Sequence, residues 1–227
     1  MKAHNRFLAL AAIALAATFF ACQREGEKAD SVGAQAQQTE ASQAAVVDQA
    51  PYSTKIRVKT SMGDFTIELL PEAAPKTVAN FQKLVRDGFF DGLIFHRVIP
   101  DFMIQSGGHL PDMGKKASKV IGANEADVAM SKGLLNTRGT ISMAYVPGDP
   151  FGASSQFFIN LKHNKNLDFK EKSLMDYGHC PFGKVVAGMD VVDRISKVQT
   201  KKINEYADVP VQPVTILKAE EINSNSK

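Results

Sequence analysis

The chain of 227 residues contains no tryptophan and only two cysteines, Cys22 and Cys180. Two cysteines are too few for a disulfide framework. The stability of any folded part must therefore come from its hydrophobic core. Neither sign of charge dominates, because the chain has 27 basic and 24 acidic residues and a net charge of +3. A surface this close to neutrality has no extended positive field for phosphates, so we expect no nucleic-acid partner.

Spacings typical of metal sites or of a catalytic nucleophile are also missing. Ser154 and Ser155 lack the G-x-S-x-G frame of a nucleophile elbow. Four of the five histidines lie beyond the N-terminal region, scattered without cysteines or carboxylates at metal-ligand spacing: His96, His109, His163 and His179. His96 is interpreted as structural, because it and Arg97 would point to opposite faces of a strand. We therefore expect neither a metal nor a cofactor.

The N-terminus has the pattern of an export signal. Lys2 and Arg6 precede an uncharged, largely apolar run of fifteen residues, 7–21. This run is shorter than the roughly 20 residues that a membrane-spanning helix needs. A basic start followed by a short apolar stretch is typical of a secretory signal. The sequence therefore predicts a signal peptide over residues 1–21.

The signal ends in Phe19-Phe20-Ala21-Cys22, which resembles a bacterial lipoprotein box. We expect a lipid on Cys22 and a protein anchored to a membrane of the bacterial envelope or periplasm. Ordinary signal peptidase cleavage is the alternative, although Phe19 stands where an A-x-A site requires a small residue.

Residues 22–52 are interpreted as the lipidated cysteine followed by a disordered tether. Residues 23–51 are rich in Ala, Gln, Ser and Glu and contain no aromatic residue. Such a segment cannot bury enough apolar surface to offset the entropy lost on ordering. An incidental disordered N-terminus without a lipid is the alternative interpretation.

Apolar alternation predicts strands through most of the remaining chain. We expect two short helices, one beginning near Pro75 and ending at Asp87 and one over residues 190–198. The strand patterns cover a hairpin at 54–70 and single strands at 93–99, 102–105, 140–145, 156–161, 182–186 and 214–222. Residues 106–138 are interpreted mostly as loop. Many strands without regular strand–helix alternation favour an antiparallel barrel or sandwich.

Four sequence blocks identify a family resemblance. They are FHRVIPDFMIQSGG (95–108), RGTISMA (138–144), SSQFFIN (154–160) and FGKVVAGMDVVDRI (182–195). In this order the blocks resemble the cyclophilins, and the resemblance extends over residues 54–221. It implies a mostly β domain over residues 53–223, built as a closed eight-stranded antiparallel barrel capped by two α-helices.

The resemblance also implies an activity, peptidyl-prolyl cis-trans isomerisation, in which the barrier to peptide rotation is lowered. That barrier is about 18–20 kcal/mol, and X–Pro bonds exchange over tens of seconds or longer when uncatalysed. No covalent bond changes, so the reaction needs a donor for the prolyl nitrogen rather than a nucleophile. Arg97 matches the family's catalytic arginine. Gln105 matches the residue that hydrogen-bonds the substrate backbone and orients that arginine.

Further positions match the family's substrate-binding residues. The proline pocket would contain Phe102, Met103, Phe158 and Leu167, with His179 at its rim, and the groove would be lined by Ala144, Tyr145 and Gln156. Tyr145 departs from the asparagine common in eukaryotic members. Asn166 stands where the family often has Trp or Phe, an aromatic residue that favours cyclosporin binding, so weak sensitivity to this drug is expected.

Two other functions remain open at this point. The groove could bind proline-containing segments as a non-catalytic chaperone or scaffold, although Arg97, Gln105 and the pocket residues are all present. A purely structural envelope lipoprotein is the other alternative, which no sequence feature favours. In the leading interpretation the partners are proline-containing segments of unfolded or extended envelope proteins, whose folding the enzyme assists, and the chain is monomeric.

Overall fold

The computed structural model describes residues 54–146 and 148–222. The predicted signal peptide, Cys22 and the predicted tether lie outside the described residues, as do the end positions 53 and 223 of the predicted domain.

Ten β-strands occur in the described part of the chain. They are β1 (Lys55–Thr60), β2 (Gly63–Leu69), β3 (Arg97–Ile99), β4 (Met103–Ser106), β5 (Thr140–Met143), β6 (Phe157–Asn160), β7 (Pro181–Ala187), β8 (Thr200–Ile203), β9 (Tyr206–Pro210) and β10 (Ile216–Glu221). Eight of them form one antiparallel sheet in the order β10-β1-β2-β7-β5-β6-β4-β3, and β8 and β9 pair separately. The eight strands of the large sheet lie in the segments with strand patterns, so the mostly β prediction is confirmed.

The large sheet is curled around a core of aliphatic side chains. Val98 in β3 lies opposite Ile104 in β4, and Ile104 lies opposite Ile159 in β6. All three side chains are fully buried. Because side chains alternate between the two faces of a strand, the intervening residues point to the outside of the sheet.

The prediction of a closed barrel is wrong, because the sheet is an open, curled half-barrel. In the described residues the ladder ends at β10 on one side and β3 on the other. The predicted strand at 93–99 is divided: Ile94 makes a single bridge to Thr215, and regular pairing starts only at Arg97, with β4. The segment before β3 therefore turns away from β10, and no continuous ladder forms between β3 and β10 in the described residues.

Helix α1 (Pro75–Arg86) packs its apolar face into the core. Pro75 occupies the first turn, as predicted, where the missing N–H of proline costs no hydrogen bond. Phe81 is buried with its ring centroid 4.9 Å from that of Phe90 and 5.1 Å from that of Phe182. These ring contacts join the helix to the sheet.

The prediction of two helices is also wrong, since the described residues contain three α-helices. Helix α3 (Met189–Ile195) corresponds to the predicted second helix, and α2 (Ala126–Ser131) lies in the stretch interpreted as loop. With six residues, α2 is too short to show helical periodicity, and only Ala126 and Ala129 of it are buried. None of the helices described is long and apolar enough to cross a membrane.

A buried carboxylate caps the first helix. Ala74 precedes α1 and offers no side-chain hydrogen bond. Instead Glu125, just before α2, accepts hydrogen bonds from the backbone N–H groups of Lys76 (3.0 Å) and Thr77 (2.9 Å) and from the Thr77 hydroxyl (2.8 Å). The first N–H groups of a helix lack partners within it and favour negative charge. This contact joins the segment before α2 to α1.

Candidate active site

The candidate active site lies on the outer face of the sheet, near its β3 edge. Arg97 is paired across the ladder with Gln105 of β4, and Gln105 is paired with Phe158 of β6. Directly opposed residues in antiparallel strands present their side chains to the same face. The register therefore places the predicted catalytic pair and one predicted pocket residue in a single row.

Arg97 is exposed at the start of β3, the edge strand of the large sheet. Within residues 54–146 and 148–222, its guanidinium makes no hydrogen bond or ion pair. A guanidinium is always charged and carries five N–H donors. Arg97 therefore presents a free donor group beside the row of groove residues.

Gln105 is oriented by a second glutamine. Its Nε2 donates a hydrogen bond of 2.8 Å to Oε1 of Gln156, the residue just before β6. The Gln156 side chain packs directly over Gly108, where a Cβ would lie 2.6 Å from its Nε2. The Gln156 carbonyl in turn accepts from the N–H of Ala144 at 2.9 Å. Gln105 of the predicted catalytic pair is thus connected to two predicted groove residues.

The apolar part of the site consists of the predicted pocket residues. Met103 and Phe158 are almost fully buried, whereas Phe102 and Leu167 are half-buried and so retain surface for a ligand. Apolar side chains with residual exposure in a concave site are suited to bind an apolar ring.

His179 forms one wall of the pocket. Its ring centroid lies 4.2 Å from that of Tyr145, in a stacked arrangement, and 5.3 Å from that of Phe158, edge to face. Nδ1 of His179 lies 2.9 Å from the Met143 carbonyl, which makes Nδ1 the donor in the neutral ring. Burial lowers the pKa of His179, so the ring is neutral at pH 7 and acts as an apolar wall.

Buried amides behind the pocket support its two half-buried residues. Asn164 donates to the Phe102 carbonyl at 2.9 Å, and Asn136 donates to the Leu167 carbonyl at 3.0 Å. Asn160 links the two asparagines, since it accepts from Asn164 and donates to Asn136. Sequence reasoning missed this network, because its members are far apart along the chain and carry no shared motif.

A single pocket of about 670 Å³ brings together all ten residues predicted for catalysis and substrate binding. Asn166 is not among the lining residues, in keeping with its exposed position on the short 3₁₀ turn Lys165–Leu167. Six further residues line the pocket that the sequence did not predict as site residues: His96, His109, Lys115, Glu205, Tyr206 and Ala207. His96, for which the sequence predicts a structural role, is buried and also lines this pocket.

The described residues offer few groups for covalent chemistry. No cluster of three or more His, Cys, Asp or Glu side chains is arranged among them to bind a metal ion. Cys180 is a free, buried thiol, and burial raises its pKa to about 12, so it stays protonated and unreactive near neutral pH. The pocket is thus suited to binding and to electrostatic stabilisation by Arg97.

Known proteins with similar sequences share one family. A family model described as cyclophilin type peptidyl-prolyl cis-trans isomerase/CLD matches residues 55–221. Peptidyl-prolyl cis-trans isomerase A of Dickeya dadantii is 46% identical over 170 residues, covering 75% of this chain and 85% of the relative. Peptidyl-prolyl cis-trans isomerase B of Escherichia coli is 46% identical over 157 residues, covering 69% of this chain and 93% of the relative.

Solved structures agree on the fold. A crystal structure of a cyclophilin type peptidyl-prolyl cis-trans isomerase from Cryptosporidium parvum superimposes with a TM-score of 0.58 at 24% identity, covering 77% of this chain and 100% of that one. A second structure of it, in the presence of the dipeptide Ala-Pro, has a TM-score of 0.57 at 24% identity, covering 75% of this chain and 99% of that one. The sequence matches and the fold lead to one conclusion: this chain belongs to the cyclophilin family and is a peptidyl-prolyl cis-trans isomerase that acts on proline-containing peptides.

Proposed function

We propose that isomerisation takes place in the outer-face pocket, with Arg97 as the catalytic residue. The observation that supports this most directly is the unpartnered, exposed guanidinium of Arg97 beside half-buried Phe102 and Leu167. A prolyl isomerase needs a hydrogen-bond donor for the prolyl nitrogen next to an apolar surface for the prolyl ring, and this pocket contains both.

The chemistry follows from the electronic structure of the peptide bond. Resonance keeps the C–N bond planar, and a twist of about 90° removes that resonance and returns a lone pair to the prolyl nitrogen. A donor that reaches this lone pair interacts with the twisted state more strongly than with either planar state. Such a difference in binding is what lowers a barrier. Arg97 would supply the donor without any proton transfer.

The remaining pocket residues would hold the substrate while the bond turns. The prolyl ring would be bound against Phe102, Met103, Phe158 and Leu167, with the neutral His179 ring at the rim. Gln105, whose Nε2 is engaged by Gln156, has its carbonyl oxygen available for a substrate N–H.

Exchange spectroscopy on a short Ala-Pro peptide tests this assignment. The wild-type protein should raise the cis/trans exchange rate, and Arg97→Ala should remove most of that increase while the amide spectrum of the protein stays folded. Lys162→Ala, which changes an exposed cation outside the pocket, is the matched control and should behave as wild type. Full activity of Arg97→Ala would remove this residue from the catalytic role.

We further propose that the enzyme acts in the bacterial envelope, exported by residues 1–21 and anchored by a lipid on Cys22. The sequence pattern of basic residues, an apolar run and Ala21-Cys22 supports this location. One myristoyl-sized chain gives only marginal membrane binding, so a stable anchor requires more than one acyl chain on the cysteine. The clients would be unfolded exported proteins, and the mature chain would be a monomer.

Mass spectrometry of the mature N-terminus tests the location. The expected product begins at Cys22 and carries acyl chains, and Cys22→Ala should move the protein from the membrane fraction to a soluble one. An unacylated N-terminus at another residue would contradict the lipid proposal and leave the isomerase assignment intact. Sedimentation of the detergent-free Cys22→Ala protein measures the oligomeric state.

A further inference from the structure

The hairpin of β8 and β9 adds a wall to the pocket that the sequence did not suggest. β9 packs beside β3, the edge strand that carries Arg97. The two hairpin strands are joined by a two-residue turn, with Ile203 paired to Tyr206 and Asn204 in the left-handed region at φ 51°. This tight turn brings the start of β9 to the pocket, where Tyr206 is one of the lining residues.

The Tyr206 ring is supported from behind by two histidines. Its centroid lies 4.9 Å from that of His109, edge to face, and the His109 centroid lies 4.2 Å from that of His96. Both histidines are almost fully buried, whereas Tyr206 keeps part of its surface exposed. The three rings form a continuous row of contacts from the hairpin to His96, the residue next to Arg97.

The two histidine rings behind Tyr206 carry no charge near neutral pH. Burial lowers the pKa of His109, with the nearby Lys115 cation acting in the same direction, and burial lowers that of His96 to about 3. At the rim, Lys115 and Glu205 are both exposed and have opposite signs. A ligand in this part of the pocket therefore meets an aromatic surface and no net charge.

We propose that Tyr206 is the contact surface of a second subsite, which binds an aromatic side chain of the substrate one to three residues from the proline. The His109 and His96 rings are positioning residues that hold the Tyr206 ring. The inference rests on the proposed catalytic pocket, since the subsite continues it past Arg97. Aromatic rings pack favourably edge to face or offset, and such a pair is worth about two- to tenfold in affinity.

A phenylalanine scan tests this subsite. One Phe is moved through each position around a single Ala-Pro bond in an otherwise polar alanine-based peptide, and kcat/KM is measured for each peptide against the all-alanine one. At one position Phe should raise kcat/KM about two- to tenfold. Tyr206→Phe keeps the ring and should keep this ratio, whereas Tyr206→Leu should bring it close to one.

The remaining variants distinguish a direct contact between Tyr206 and the substrate from an indirect effect on the hairpin. His109→Phe preserves a ring behind Tyr206 and should retain the ratio, and His109→Ala should reduce it. Lys202→Ala changes an exposed side chain of the same hairpin outside the pocket lining and should leave the ratio unchanged. The subsite is ruled out if the active wild-type protein shows no preference for Phe, or if Tyr206→Leu retains that preference. It is also ruled out if Glu or Lys, placed at the same peptide position, raises kcat/KM more than Phe does. Absence of activity on every peptide would instead refute the catalytic pocket.

Discussion

Gln105 Nε2 donates its 2.8 Å hydrogen bond to Gln156 Oε1, although Gln105 lies directly across the ladder from Arg97. Because one amide hydrogen of Gln105 is engaged in this way, the side chain is oriented before any substrate arrives. Its carbonyl oxygen remains an acceptor for a substrate N–H or for the guanidinium. Gln156 is therefore a positioning residue for the predicted catalytic pair.

Gln156→Leu should reduce kcat/KM about two- to tenfold, because the loss of one ordinary hydrogen bond leaves the Gln105 amide without a fixed orientation. The measurement is catalysed exchange on the Ala-Pro peptide. Gln199→Leu, at an exposed position outside the pocket lining, serves as the control. Wild-type kcat/KM in Gln156→Leu would show that the Gln105 orientation does not matter.

Glu125→Ala should lower the free energy of unfolding by about 1–3 kcal/mol. The substitution leaves two backbone N–H groups of α1 and the Thr77 hydroxyl without their acceptor in a buried place. Urea unfolding of Glu125→Ala and of Glu72→Ala, an exposed acid near the same helix, gives the comparison. Equal midpoints for both variants would contradict the capping role.

Stability should fall in mild acid because of His96. Its pKa is lowered to about 3, chiefly by burial and also by His109 and Arg97, whereas in the unfolded chain it would titrate near 6.5. The unfolded state therefore binds more protons below pH 6.5, so the stability present above that pH is lost as the pH falls towards 3. Between pH 7.5 and 5.0 this residue alone should account for about 2 kcal/mol.

Urea unfolding at pH 7.5 and pH 5.0 measures this loss, with His96→Leu as the variant. His109 and His179, whose pKa values are also lowered, should leave a residual acid sensitivity in the variant. A pH dependence in His96→Leu as steep as that of wild type would contradict the assignment.

The sequence predicted the pocket better than it predicted the outline of the fold. The block at 95–108 places Arg97, Met103 and Gln105 on two adjacent strands and Phe102 in the turn between them, and the structure brings all four into one pocket. Closure of the barrel could not be predicted, because whether β10 pairs with β3 depends on where the backbone diverges after Phe95, whose N–H still bonds the Val214 carbonyl, rather than on any side-chain pattern.

The hairpin at 200–210 escaped prediction for a physical reason. Residues of β8 are mostly exposed, and β9 buries only its last two residues, so neither strand has the alternation of a half-buried strand. The hairpin exists because of its tight turn at Asn204 and its packing against β3. The contact between His96 and His109 likewise depends on tertiary structure and has no local signal.

Asn166→Trp should increase the affinity for cyclosporin about tenfold or more, because large aromatic anchors often contribute most of the energy of an interface. Asn166 is exposed beside Leu167 and stands where the family often has the aromatic residue. Titration of both proteins with the drug gives the two dissociation constants, and Asn166→Leu controls for general hydrophobicity. Tight binding by the wild-type protein would contradict the expected weak sensitivity.

We propose that the Arg97 guanidinium acts on catalysis and contributes little to substrate binding. The decisive measurement is the affinity for one Ala-Pro peptide and the catalysed exchange rate of the same peptide, compared between wild type, Arg97→Ala and Arg97→Lys. We predict that Arg97→Ala binds the peptide within a few-fold of wild type yet loses about 10²-fold or more in catalysed exchange, with Arg97→Lys in between. If affinity and exchange fall together, or if exchange persists in Arg97→Ala, the guanidinium does not stabilise the twisted prolyl bond.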